Sequence, residues 1–210
     1  MEGFAVRFHV IRARSLIAPG CAPQAGRGRW TYRGRVSASV EIETERLLLR
    51  QFRAEDLAAH RAAVDEDPAV TWAHVRLPLA DSLRRWADRL DGWSRDGFGM
   101  WIAAERSSGR IIGHCGLQRL ENGDEVEVGY YFGRTAWGRG YATEAGRACL
   151  RFGFDDRHLS RIVAVVRLEN QPSRHVLEKI GMRHERDGQF YGFDAALYGI
   201  GRDRFIGDAS

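Results

Sequence analysis

Lysine is nearly missing from this chain. Lys179 stands alone, and every other basic side chain among the 32 is an arginine. Cysteine is scarce too, with only Cys21, Cys115 and Cys149. An odd number excludes a fully paired disulfide framework, and no two cysteines have the close spacing of a zinc ligand set. No metal is expected, and a reducing cytoplasm is the expected compartment. Cys115 and Cys149 fall in an expected strand and helix, where cysteine acts as a small buried apolar residue. Long apolar runs are absent as well. None reaches the roughly 20 residues of a membrane-spanning helix. Arginines interrupt Phe4 to Ile17, which denies that stretch the unbroken apolar core of a secretory signal. A soluble protein with no membrane partner is the expectation.

The excess of positive charge is local. The net charge is +4, yet within residues 1–40 seven arginines oppose Glu2 alone, so the rest of the chain is slightly acidic. A nucleic-acid partner is therefore not expected of the folded part. Residues 1–40 are rich in Gly, Ala and Arg and have little periodicity. They read as a disordered extension, with an organelle-targeting segment as the alternative, and 41–206 as one domain.

Within 41–206, apolar periodicity separates strands from helices. Strands are expected at 44–50, 98–105, 110–117, 126–132, 161–167, 182–186 and 194–200. Helices are expected at 54–64, 79–94, 140–154 and 172–180, the last ending at Gly181. Leu79, Leu83, Trp86, Leu90 and Trp93 carry the apolar stripe of the second helix. Seven strands and four helices in this order make an α/β (α+β) protein with a mixed sheet.

The most informative stretch is Trp137-Gly-Arg-Gly-Tyr-Ala142, a glycine loop between an expected strand and an expected helix. Gly138 and Gly140 let backbone N–H groups approach an anion closely, and the helix N-terminus supplies unpaired donors and a positive dipole end. Arg139 adds a cation. The loop is not a P-loop, because no Gly-Lys-Ser/Thr follows, and its position in the chain differs from that of a dinucleotide fingerprint.

With Thr-Glu-Ala after it, this loop resembles the acetyl-CoA loop of the GNAT superfamily of N-acetyltransferases. Trp137 at the first motif position is similar to the branch of the ribosomal-protein acetyltransferases RimJ and RimL. Thr44-Glu-Arg-Leu-Leu-Leu-Arg50, Gly109-Arg-Ile-Ile-Gly-His-Cys-Gly116 and Asn170-Gln-Pro-Ser-Arg-His-Val-Leu-Glu-Lys-Ile-Gly-Met182 resemble further segments of that branch, in the same order. The resemblance covers about 43–205. It implies a strongly twisted sheet splayed between its fourth and fifth strands, with acetyl-CoA in the cleft as acyl donor. It further implies that backbone groups of Tyr130, Tyr131 and Phe132 pair with the pantetheine. The diphosphate is expected on the amides of Gly138, Arg139, Gly140, Tyr141 and Ala142, Asn170 on the pantetheine, and Arg174 at a phosphate. The acceptor is expected to be an amine, either a protein N-terminus or a small molecule, with a non-catalytic acyl-CoA-binding or regulatory module of the same fold as the alternative, and a homodimer is compatible with the branch.

Acyl transfer needs a neutral amine and a protonated leaving thiol. An α-amino group, with a pKa near about 8, is already partly neutral at pH 7, whereas a lysine amine near about 10.4 is not. Glu127, at the start of the cleft-lining strand, is the candidate base, although alternation places Glu125 on the same face. Many GNAT enzymes carry a tyrosine acid seven residues after the helix-opening asparagine, but that position is Leu177 here. The RimL-like alternative is Ser173, whose hydroxyl would serve the thiol. Trp72, Trp86, Trp93 and Trp101 are candidates for the acceptor side, with core packing the default for Trp86 and Trp93. His114, His175 and His184 lack metal spacing.

Overall fold

The computed structural model describes residues 40–66, 70 and 79–207. The extension at 1–39 and Trp72 lie outside the described residues. One eight-stranded sheet organises the chain: β1 (Ile42–Glu43), β2 (Leu47–Arg50), β3 (Met100–Glu105), β4 (Ile111–Arg119), β5 (Val126–Phe132), β6 (Arg161–Arg167), β7 (Arg183–Phe190) and β8 (Phe193–Gly201). Its spatial order is β1-β2-β3-β4-β5-β6-β8-β7. Every neighbouring pair is antiparallel except β5 and β6. The helices are α1 (Asp56–His60), α2 (Leu79–Asp96), α3 (Tyr141–Arg151), α4 (Gln171–Lys179) and the short α5 (Arg202–Gly207).

Side-chain alternation along the strands divides the core into two faces. Met100 and Ile102 point to one side, where they cluster with Phe52 and Trp86. Trp101, Ala103, Cys115, Leu117, Val126 and Val128 point to the other and pack with Tyr141, Ala145 and Cys149 of α3 and Leu177 of α4. So α1 and much of α2 cover one face, and α3 and α4 cover the other. Glu127 and Tyr131, out of phase with Val126 and Val128, belong to the α1/α2 face. Trp101 is wholly buried against Trp93 and Phe152, and its indole N–H donates to the Val40 carbonyl at 2.9 Å. It is a core residue and does not line the acceptor side. Trp86 and Trp93 are buried as well.

The expected elements recur with three differences. A two-residue strand, β1, precedes the expected first strand, and α5 follows the last. The closing hairpin is also longer than expected. Arg183 to Gln189 is polar and mostly exposed at the sheet edge, so no apolar alternation announces it. Tyr191 and Gly192 join β7 to β8 with φ of 51° and 77°, the left-handed pair that a tight hairpin turn needs.

Candidate functional site

The loop after β5 is built to present amides. Gly138 and Gly140 both lie in the left-handed region, at φ 70° and 78°, and α3 starts at Tyr141. Such alternation turns successive N–H groups toward one concavity, and the first turn of α3 adds its own donors. No atom lies within 4 Å of where a Gly138 Cβ would stand, so the concavity is open and fits an anion. The loop is fastened from afar. The Glu144 carboxylate, in the first turn of α3, accepts from the Thr44 hydroxyl at 2.6 Å and from the backbone N–H and Nε of Arg46 at 2.8 and 2.7 Å. Arg46 also donates to the Arg139 carbonyl at 2.8 Å. Two of the sequence segments singled out above therefore meet as one assembly. The Arg139 side chain departs from expectation. Its guanidinium pairs with Glu105 at 3.1 Å and lies over the Tyr141 ring.

Beside this loop the sheet opens. β5 and β6 run parallel but register only at Glu127 with Val163. On its other side β5 pairs with β4 along its whole length, from Gly113–Phe132 to Arg119–Val126. Beyond Glu127 the β6-facing edge of β5 is therefore a strand edge inside the sheet, which an extended amide chain can complete. Tyr130 and Tyr131 stand on that edge. Phe132 also lines the cleft, and its carbonyl accepts from the Trp137 indole at 2.6 Å. The cleft holds about 1570 Å³ and is lined by Gly138, Gly140, Tyr141, Ala142, Tyr130, Tyr131, Asn170 and Ser173 together with Glu127. Small-molecule pockets run to roughly 1,000 Å³, so two substrates fit at once.

The lip formed by α4 follows from its capping. Asn170 is the N-cap, and its side-chain oxygen accepts from the Ser173 N–H at 3.1 Å. Its Nδ2 donates to Ser173 Oγ at 2.9 Å. Asn170 thus uses one donor and one acceptor of its amide on the helix, and it lines the cleft. Because Ser173 Oγ accepts that bond, its own hydrogen is directed elsewhere, and Ser173 lines the cleft. The Tyr130 hydroxyl donates to the Ser173 carbonyl at 3.0 Å, tying α4 to β5, and burial pushes the phenol pKa up. Arg174 is engaged away from the cleft. It donates to the Tyr198 hydroxyl at 3.1 Å and to the Leu168 carbonyl at 3.3 Å, and it is not among the described residues that line the cleft. A helix places successive side chains about 100° apart, and Ser173 takes the cleft direction.

Glu127 is buried in the opposite wall. Loss of hydration raises its pKa above the usual carboxylate value, while bonds from Tyr191 and Gln118 pull it back. Both donors, the Tyr191 hydroxyl and Gln118 Nε2, act on Oε1, which leaves Oε2 to receive a proton. The structure also separates the two glutamates: Glu125 is half exposed and pairs with Arg161 at 3.2 Å. Sequence reasoning missed Tyr191. It sits in the β7–β8 turn, its N–H donates to the Glu121 carboxylate at 2.6 Å, and both residues have positive φ. Non-glycine residues held so cluster at functional sites, but only the fold brings them to Glu127. Among the described residues no group of His, Cys, Asp and Glu could hold a metal ion, and no helix is long and apolar enough to cross a membrane.

A glycine loop opening a helix beside a split sheet, with a carboxylate in the wall, fits an acyltransferase. The comparisons agree. Residues 46–183 match the family described as Acetyltransferase (GNAT) domain, and the chain belongs to that family. It is 33% identical to the Bacillus subtilis protein YkkB over 78% of this chain and 96% of the relative. It is 29% identical to the Bacillus subtilis N-acetyltransferase YnaD over 70% of this chain and 84% of the relative. A crystal structure of an acetyltransferase from Agrobacterium tumefaciens superposes with a TM-score of 0.69 at 26% identity, covering 80% of this chain and 98% of that one. Members of the family move an acyl group from acetyl-CoA to amines.

Proposed function

We propose that this chain acetylates a primary amine, either a protein α-amino group or a small molecule, by direct transfer with both substrates in one cleft. The observation that carries this reading is that a single cleft contains the open amide loop at 138–142, the Ser173 hydroxyl and the buried Glu127 carboxylate. Bound acetyl-CoA would supply an activated thioester. The chain's own residues do the rest. The amides of 138–142 hold the diphosphate and the edge of β5 aligns the pantetheine, so the reaction becomes effectively unimolecular. Glu127 Oε2 takes the proton from the ammonium of the acceptor, and Ser173 offers a hydrogen bond to the departing sulfur. Trp137 and Ser173 support placement near the RimJ/RimL branch.

The test is release of free thiol from acetyl-CoA in the presence of N-terminal peptides, polyamines, aminoglycosides or amino acids. Amine-dependent release with an acetylated product supports the proposal; tight acetyl-CoA binding with no release for any amine refutes it. Ser173→Ala should lower kcat by about tenfold, the worth of one hydrogen bond to a developing charge, while acetyl-CoA affinity changes less than twofold. Equal kcat in the variant removes Ser173 from the chemistry.

A further inference from the structure

The α1/α2 face of the cleft contains a charge that acetyl transfer alone does not use. Arg89 lies on α2 one turn from Arg85, and both line the cleft with His114, Tyr131, Arg167 and Glu127. Arg89 is half-buried, and its desolvated guanidinium has its pKa pulled down to about 10. Among the described residues it forms no ion pair. Its contacts are His114 Nε2 at 3.2 Å and the Phe52 ring at 5.5 Å.

The histidine does not neutralise it. A guanidinium only donates, so His114 Nε2 must present its lone pair. His114 Nδ1 then carries the hydrogen, and it lies 2.8 Å from His60 Nε2, which must accept. Both rings are neutral in this arrangement, so Arg89 keeps its full charge. Asp65 is the acid that acts most strongly on Arg89, but among the described residues no ion-pair contact joins the two, and burial raises the Asp65 pKa. Arg85 and Arg167 line the same cleft. Arg167 is partly answered by Glu169 at 3.9 Å, and Arg85 is exposed.

We infer that the acceptor is an amine that also carries a carboxylate, with the amine at Glu127 and the carboxylate at Arg89. This rests on the acetyl-transfer reading above and adds the substrate class. Glu127 and Tyr131 share a face four residues apart, about 13 Å along a strand. His114 is the cross-strand partner of Tyr131, and Gln118 of Glu127. Arg89 therefore reaches the cleft at the Tyr131 end, well separated from the base. A half-buried guanidinium with no ion pair among the described residues favours an acidic acceptor, because a neutral one leaves its charge without a contact partner.

The test uses matched pairs of amines in the thiol-release assay with the full chain. One arm compares ω-amino acids of five or six carbons with their carboxamides, because an α-amino acid is too short to reach both groups. The other compares tetrapeptide amides beginning Ala-Glu or Ala-Asp with those beginning Ala-Gln or Ala-Asn. The expected result is at least a tenfold higher kcat/KM for the carboxylate member in one arm, and that arm identifies the source. Arg89→Gln should bring the ratio close to one by loss on the carboxylate side. Neutral members turned over as well as their acidic partners in both arms overturn this inference while acetyl transfer stands. No turnover of any amine, with acetyl-CoA still bound, overturns the transfer reading and this inference with it. A wild-type preference retained in a folded Arg89→Gln rejects Arg89 as the anchor. Should that variant not fold, Arg89→Met, of similar length and without the charge, takes its place, and the same two outcomes decide.

Discussion

Gly138→Asp should weaken acetyl-CoA binding by well over tenfold while leaving the fold intact. The site is open around a Gly138 Cβ, so the new Cβ meets no protein atom within 4 Å. The backbone there has φ 70°, a conformation that Asp and Asn tolerate better than other residues with a Cβ. The charge is what acts. A carboxylate about 5 Å from one phosphate charge repels it by ~3 kcal/mol at an effective dielectric of 20, and less at this exposed loop. Gly138→Asn is the control, because it fills the same space without the charge. Calorimetry should rank wild type tightest, Asn next and Asp weakest, with Asp at least tenfold weaker than Asn at low salt. The gap should narrow as salt is added. Equal affinities for Asp and Asn would place the phosphates away from this loop.

The backbone part of this site was legible in the sequence, and the side-chain part was less so. Gly138 and Gly140 announce themselves because left-handed φ and open approach need glycine, and the helix they open follows from its apolar stripe. Glu144 and the Thr44-Glu-Arg46 segment were visible as separate motifs. Their contact, across about a hundred residues, was not. Long side chains were the hardest to place. Arg139 and Arg174 sit beside the loop and the α4 N-terminus in sequence, yet each is claimed by a local partner, Glu105 or Tyr198. A flexible arginine goes to the nearest good acceptor, and neighbouring acceptors are a tertiary fact. Arg89 and Tyr191 show the converse. One lies within an amphipathic helix and the other in a hairpin turn. Nothing local distinguishes them, and the sheet brings both to one cleft. The edge strand β7 was read short for a related reason: at a sheet edge the pattern is polar, and pairing with β8 supplies the order instead.

Glu127→Gln should cut kcat/KM by about 10²- to 10⁴-fold, the usual worth of a positioned base, without lowering stability. Burial raises the pKa of Glu127, so the folded protein favours its protonated form. As pH rises from the unfolded to the folded pKa, ionisation of the buried carboxylate therefore costs stability, and above the folded pKa that cost is fully present. Gln carries no such cost. Both hydrogen bonds to Glu127 come from donors, Tyr191 and Gln118, and both end on Oε1. The amide oxygen of Gln accepts both equally, so the variant should melt at the same temperature as wild type or higher at pH 7–8. Activity has the opposite sign. A base works only when ionised, so wild-type kcat/KM should fall on acidification through a pKa above the ordinary glutamate value. That limb should vanish in the variant, leaving only the titration of the amine. Tyr191→Phe provides the companion measurement. Losing its donor to Oε1 removes an interaction that favours the carboxylate, so the acid limb should move to higher pH. A Glu127→Gln enzyme with wild-type rates and an unchanged limb would assign the proton to water, and Glu127 would then be a wall residue. A stable, inactive Glu127→Gln together with a shifted Tyr191→Phe profile would mean that the protein accepts the cost of a buried charge because the reaction needs one there.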